Sequence, residues 1–529
     1  MSFPEPEMAK IRSRKSIYSI QIADIALIIF CLVLPIFSFS VKDTNSKQTR
    51  KKIELLYCDE LVIDNQINKD LYRLLGNVGL KHNDLLMTCD SAYWYRDNNQ
   101  VKAFNKVKIN QGDTLTISGD YLFYDGNLEK ALISGNVELT DKETKLYTST
   151  VNYDAKTRVA DYPFRGKIIN GENTLTSRIG IYYALEKKFH FNDSVFIVNP
   201  DYIMRADSLE YNTETGMAYF ISPTVLEGDS LYIYCEKGWY DTKNDITSIW
   251  QNSVIDNRKQ IVRGDSLFYN NKNGFGQAFN NISITDTSNN VILEGNYAWY
   301  YKEPERFMVT DSALFIQVSN EDSLFLHADT ISAATFTAPD DTSSWRLMKA
   351  YYGCRVFSYD IQARCDSLSY SFRDSVIRLY YSPILWSKEN QLTADSMAIF
   401  TKDRKAESME LYNSVFVVSQ VDSLRFNQMK GRKLTGYFID NKLQRIIIEG
   451  NAETIYFMVD NDGLLGINYA KSSSIEILFE NGKVNELIEY QNPDGKLDPP
   501  EKNSPENYRL PGFAWHDTLR PKKKSDVFL

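Results

Sequence analysis

Hydrophobic and polar positions alternate along most of this chain with a period of two, which turns one strand face inward and leaves the other in water. The stretch 206–212 reads Ala-Asp-Ser-Leu-Glu-Tyr-Asn: Leu209 and Tyr211 alternate with Ser208 and Glu210, a turn ending at Gly216 follows, and an apolar return runs from Met217 to Ile221. This predicts strand, hairpin, strand. The pattern recurs. Tyr211 has counterparts at Tyr95, Tyr124, Tyr153, Tyr183, Tyr240, Tyr269, Tyr300 and Tyr370, and weaker ones near Ile399, Tyr437 and Tyr469. Neighbours lie about 30 residues apart, the spacing of a repeat array.

Two smaller signals accompany each copy. A small residue and an acid or amide precede the tyrosine, as in Cys89-Asp90, Gly119-Asp120, Ala206-Asp207, Gly264-Asp265, Gly295-Asn296, Cys365-Asp366 and Ala394-Asp395. A polar turn follows, then a Gly-Asn-Val-like step, as in Gly76-Asn77-Val78, Gly135-Asn136-Val137 and Asn413-Ser414-Val415. Hairpin turns are expected at 97–99, 125–127, 154–156, 241–244 and 270–274. Serial hairpins build one antiparallel sheet that grows along a single axis.

The N-terminus breaks the pattern. Lys10, Arg12, Arg14 and Lys15 precede an apolar run over 25–39, and Ser38 and Ser40 are small enough for signal-peptidase cleavage. Residues 1–40 read as an export signal or, counted from Ile17, as a retained membrane anchor over 17–39. A polar spacer covers 41–52. The array occupies 53–300 and continues in degenerate form over 301–490, with a bend at 302–306 around Pro304 and an inserted loop near 338–344. The tail, 491–529, is rich in Pro and Lys and reads as mostly extended or disordered, with 510–515 as a docking segment.

Composition sharpens the fold class more than the function. The 34 tyrosines and 28 phenylalanines, with recurrent Val, Ile and Thr, favour strands. Residues 1–40 carry four basic and three acidic side chains, so without them the formal net charge of −9 becomes −10. An acidic body argues against nucleic acid as a partner. Cys58, Cys89, Cys235 and Cys365 fall in the small-residue slot and read as packing groups, while Cys354 and Cys365 are a candidate pair whose separation sequence does not give.

Catalytic and metal chemistry find no foothold in the pattern. The four histidines, His82, His190, His327 and His516, share no repeat position, and neither a nucleophile elbow nor a phosphate-binding glycine loop is present. The Asp-Ser dipeptide recurs too often for a catalytic residue, and its Asp reads as an acceptor of backbone N–H bonds in a turn. No enzymatic activity, cofactor or metal is expected. The repeated Leu-x-Tyr stripes leave two readings: a filled core, or a continuous apolar trough. The residues that would line a trough are Leu122, Tyr124, Leu209, Tyr211, Leu267, Tyr269, Leu368 and Tyr370.

The repeated Ala-Asp-Ser-Leu-x-Tyr, polar turn and Gly-Asn-Val grammar resembles the OstA-like (organic solvent tolerance) N-terminal domain family, that of LptA, LptC and the N-terminal part of LptD. The likeness covers about 53–490 and is strongest over 76–300. It implies an all-β, elongated, open β-jellyroll of stacked antiparallel hairpins whose groove shields the acyl chains of lipopolysaccharide. It further implies edge-to-edge strand pairing with other Lpt-type jellyrolls, contacts with inner- or outer-membrane Lpt complexes, and residence in the periplasm. The array is longer than a lone LptA-type domain, and nothing after residue 492 reads as the outer-membrane barrel of LptD. A closed structural or adhesive β-solenoid without lipid cargo is the alternative.

Overall fold

The alternating segments pair as a ladder. The computed structural model describes residues 51–529 except 64–69, 230, 320–321, 338–343, 403–404, 440–441, 461–462, 481–482 and 501–503. Its 36 strands make up a single antiparallel β-jellyroll sheet, in which most long strands pair with their sequence neighbours. The candidate signal or anchor lies outside the described residues, as does nearly all of the inserted loop. Among the described residues no helix is long and apolar enough to cross a membrane.

Hairpin ends are held by Asp and Asn side chains in the turns themselves. Asp125 Oδ1 accepts the N–H groups of Asn127 and Leu128 at 2.9 and 3.1 Å, and Asp154, Asp241 and Asn212 repeat the arrangement. A short side chain that bonds two residues ahead preorganises the reversal. Residues 302–305 form another such hairpin turn between Val291–Tyr301 and Arg306–Gln317, and Tyr301 pairs with Arg306, so Pro304 does not bend the array.

The Gly-Asn-Val steps that follow the turns interrupt the pairing. They are two-residue bulges at the middle of alternate strands. In Lys130–Asp141, Gly135 and Asn136 together oppose Asp120 of Leu115–Asp125, with Ser134 paired to Tyr121 and Val137 to Thr148 on the next strand. Both bulge residues have positive φ, 79° and 46°. Glycine and asparagine tolerate that region where β-branched residues do not. Asn136 Nδ2 donates to Asp120 Oδ2 at 2.7 Å, and Asn281 Nδ2 reaches both carboxylate oxygens of Asp265 at 3.1 and 3.0 Å. The acid of the repeat therefore stands at mid-strand and clamps its neighbour's bulge, instead of organising a turn.

Each bulge bends its strand and divides the sheet into two walls. Wall A holds segments such as 78–82, 85–89, 107–111 and 115–119; wall B holds 91–95, 100–104, 121–125 and 130–134. At Tyr202–Asn212 the division is complete. Its first half pairs with Thr224–Gly228 on wall A and its second with Met217–Phe220 on wall B, and the walls rejoin at Ile246–Asp256. Along wall B one inward row runs across the strands as Trp94, Val101, Tyr124, Ala131, Tyr153, Ala160 and Tyr182. Trp94 and Tyr182 hold the places that the sequence pattern gives to Tyr95 and Tyr183. Large rings alternate with small residues, so neighbouring rungs interlock.

The tail is ordered, contrary to its composition. After Asp494–Asp498 it runs back along the outer face of wall A, clamped by three glutamines that are 0%, 1% and 3% exposed: Gln428, Gln391 and Gln362. Gln428 donates to the Tyr508 carbonyl and accepts from Leu510 N–H, both at 2.8 Å; Gln391 treats Ala514 and His516 the same way at 2.8 and 2.6 Å. Gln362 accepts from Arg520 Nε at 2.8 Å. Phe416, Phe426, Phe457, Tyr508 and Leu510 form a buried cluster beneath, with Phe513 and Trp515 of the docking segment packed against it. The run Val415-Phe416-Val417-Val418 is buried on both sides, which explains its loss of alternation.

Gly135→Ala places a Cβ within 2.6 Å of the Asp120 carboxylate in a left-handed conformation. We expect it to destabilise the protein by about 1–3 kcal/mol in urea unfolding.

Candidate functional site

The two walls meet along one part of the chain and stand apart along the rest. Over 71–187 their tips are joined by side chains from the last position of three wall A strands, Leu71–His82, Gln100–Gln111 and Lys130–Asp141. His82 Nδ1 bonds the Tyr124 hydroxyl at 2.7 Å; the Tyr153 hydroxyl donates to Gln111 Oε1; the Tyr182 hydroxyl donates to Asp141 Oδ2 at 2.6 Å. Gln111 also donates to the Ala155 carbonyl at 2.9 Å, and Asp84 receives Arg158 across the mouth at 2.7 Å. These are three copies of one latch. All six latch side chains are buried.

Asp141 is the most charged of the latches. Burial pushes its carboxyl up, but hydrogen bonds from Lys187 and Tyr182 outweigh this and hold it below the ordinary carboxylate range. Lys187 Nζ lies 2.7 Å away. Burial, then the neighbouring carboxylate, pushes the Tyr182 hydroxyl upward, so it stays a donor.

Behind the latches the interior is filled. Leu74, Ile117, Leu122, Ile133, Leu146 and Val151 are all 0% exposed, and the rings of Tyr182, Phe189 and Phe191 stack at 4.2 and 5.3 Å. The free end is covered as well: Ile53 is buried, its N–H donates to Asn99 Oδ1 at 2.8 Å, and the Lys51 carbonyl meets His82 Nε2 at 3.0 Å.

The latch series then stops for a readable reason. The next wall A tips are Asn170, Val198 and Gly228. Asn170 turns along its own wall to Thr144 at 2.6 Å, Val198 has no polar side-chain atom, and Gly228 has no side chain. Tyr240, left without a cross-wall partner among these, donates to Asp245 on its own wall at 3.1 Å. From Asp201 to Val484 the walls enclose a trough of about 3390 Å³. Apolar side chains make up most of its lining, beside polar ones such as Asp245, Gln260, Lys302 and Arg346, and they are incompletely covered: Leu226, Ile233, Val262, Ile284, Phe307 and Ile377 are half-buried. Cys235 lies on it with its thiol pushed up to about 12 by burial, a packing group and not a nucleophile.

Of the candidate lining residues, Leu267, Tyr269, Leu368 and Tyr370 border the trough. Leu122 and Tyr124 sit in the latched section, 0% and 1% exposed; Leu267 and Leu368 are buried too, at 2% and 7%, so it is the tyrosines that differ, Tyr269 and Tyr370 being half-buried without a latch. Leu209 is also 0% exposed and Tyr211 half-buried, at the transition between the two sections. The latch residues His82, Gln111 and Asp141 escaped the sequence pattern. Their signal was a polar side chain on an inward strand-end position, visible once strand ends are aligned. Cys354 and Cys365 are direct cross-strand partners and both are free thiols. Among the described residues no three His, Cys, Asp or Glu side chains gather to hold a metal.

Comparison with known proteins places the family signal in the latched section. Residues 50–207 match the family described as OstA-like protein. No curated protein sequence matches the chain. Among solved structures, the chain is similar to LptH from Pseudomonas aeruginosa, described as the LptA homologous periplasmic component of the lipopolysaccharide transport device. The two are 12% identical, with 25% of this chain and 79% of LptH covered and a TM-score of 0.14.

Asp141→Ala strands the Lys187 ammonium and the Tyr182 hydroxyl against an apolar interior, and we expect a loss of about 3 kcal/mol in urea unfolding. Because the folded-state value is depressed, the Asp141 contribution is complete above the unfolded carboxylate range near ~4 and is lost as pH falls through the folded value. An acid-unfolding titration of Asp141→Asn should lack that part of the slope.

Proposed function

We propose, from the OstA-like segment at 50–207 and the trough beyond it, that this protein is a non-enzymatic carrier in the periplasm. It shields the acyl chains of lipopolysaccharide between the inner and outer membranes. The observation that carries the reading is the trough itself. At about 3390 Å³ it exceeds the roughly 300–1,000 Å³ of small-molecule sites. Its half-buried Leu, Ile, Val and Phe side chains line both walls over 201–484. A lipid with several acyl chains has the size and chemistry to cover them. Each Å² of apolar surface so removed from water contributes about 25 cal/mol.

Such a carrier breaks no covalent bond and needs no catalytic group. Directed movement then draws on energy supplied by a partner. In this reading, residues 17–39 direct export or anchor the chain in the inner membrane, and other Lpt-type jellyrolls dock by strand pairing at free sheet edges. The strands Glu54–Tyr57 and Glu60–Ile63 offer such an edge with half-exposed Leu56, Tyr57, Leu61 and Ile63. A closed solenoid without cargo is disfavoured by the trough, since a core built only for stability is filled to close-packed density.

The test is photocrosslinking in living cells with a photoreactive residue at Leu267, Tyr269, Leu368 or Tyr370, and at Glu210 as control. Lipopolysaccharide adducts are expected at the first four positions and not at Glu210. Folded, exported protein that gives no lipid adduct at any of the four would overturn the carrier reading.

A further inference from the structure

The latched section and the trough belong to one continuous sheet, but only one of them has room for a ligand. A conduit that passes cargo end to end requires its groove to reach both terminal rungs. Here it reaches one. We infer that residues 51–198 form a sealed block that carries no cargo, so that lipid enters and leaves the trough across its open mouth or at its far end, never through the N-terminal rungs. This rests on the reading of the trough as lipid-carrying.

Three independent features close the block. The latches His82 to Tyr124, Gln111 to Tyr153 and Asp141 to Tyr182 join the walls at successive rungs. The stacked Tyr182, Phe189 and Phe191 rings fill the last rungs before the trough. Residues 51–53 cross the outer end between His82 and Asn99. Successive strands lie about 4.8 Å apart, so the filled core between that end and the trough is about 40 Å deep.

Opening this core for an acyl chain would require parting the three buried polar pairs, and an unpaired buried donor or acceptor is costly. No such pair stands at the trough: Val198 and Gly228 occupy latch positions where it begins, and the polar tips beyond them, Asp256, Asp286 and Gln317, bond within their own wall. A second jellyroll docked on the Glu54–Tyr57 edge would therefore meet a filled core: the joint transmits position and holds the array in place, but no lipid crosses it. The sealed block is a docking element and the trough is the container.

Two measurements test this. Ile117→Cys and Val262→Cys are compared for reaction with a methanethiosulfonate reagent in the folded full chain. The two hold the same place in the repeat, two residues before Gly119 and Gly264, but Val262 is half-buried on the trough and Ile117 is 0% exposed between the latches, so the Ile117→Cys thiol should react at least about a hundredfold more slowly. Adding Gln111→Ala and Asp141→Ala should raise the Ile117→Cys rate by about tenfold or more and leave the Val262→Cys rate unchanged, which also reports that the rest of the chain is folded. Comparable rates for the two thiols in the latched protein would overturn the sealed block. In cells, a photoreactive residue at Ile117 should give no lipid adduct where one at Val262 does, and adducts at both would equally overturn it. If neither position gives an adduct while the Ile117→Cys thiol remains protected, the carrier reading fails and the sealed block stands.

Discussion

The two-residue bulge at the middle of alternate strands is the constraint on which everything else depends. A long antiparallel ladder without it would be a twisted single layer with one apolar face open to water. By forcing Gly135 and Asn136, or Asn280 and Asn281, into positive φ opposite one residue, the chain bends every rung at the same place and turns one sheet into two facing walls. The Asp120 and Asp265 carboxylates hold the bulge amides and keep the bend in register from rung to rung. Inside and outside are defined by that bend.

Once two walls face each other, their tips decide whether the interior is filled or hollow. Where a wall A strand ends in His82, Gln111 or Asp141, a tyrosine hydroxyl from wall B reaches across and the walls close on large buried rings. Where it ends in Val198 or Gly228, the same tyrosine row continues through Tyr240 and Tyr269 with nothing to bridge, and the walls stand apart. A strand-end side chain that reaches the facing wall, as His82, Gln111 and Asp141 do and as Asp256, Asp286 and Gln317 do not, thus marks the difference between core and container. The cost of leaving polar groups unpaired in a closed interior makes the difference sharp.

The hollow section lacks the cross-wall packing that stabilises the latched one, and the tail supplies a substitute from outside. It lies on the outer face of wall A, where Gln428, Gln391 and Gln362 hold its backbone and Phe416, Phe426 and Phe457 pack beneath it. Wall A is therefore covered on both faces over the later rungs of the trough, with Val417 and Met429 inward and Phe416 and Val418 outward. An external brace keeps a wall stable without filling the space it encloses.

Much of this was legible in the residues themselves. The period-2 alternation, the turn chemistry at Asp125, Asp154 and Asn212, and the repeat spacing specify antiparallel hairpins in series, because these are local preferences of a few adjacent residues. The apolar rungs at Leu267, Tyr269, Leu368 and Tyr370 were readable for the same reason. What only the tertiary structure decided depends on partners far apart in sequence. The Asp of the repeat reads as a turn residue until Asp120 is seen holding Asn136 of the bulge opposite it. Leu122 and Leu267 carry the same local pattern and are both buried, 0% and 2% exposed, yet only Leu267 borders a trough, because what lies beyond each depends on the facing wall. The Pro- and Lys-rich tail reads as mostly extended or disordered, with a docking segment at 510–515, and the sequence does not show the buried glutamines, up to 158 residues away, that pair with it. Alternation determines which face of a strand is apolar; only the arrangement of the walls determines what that face meets.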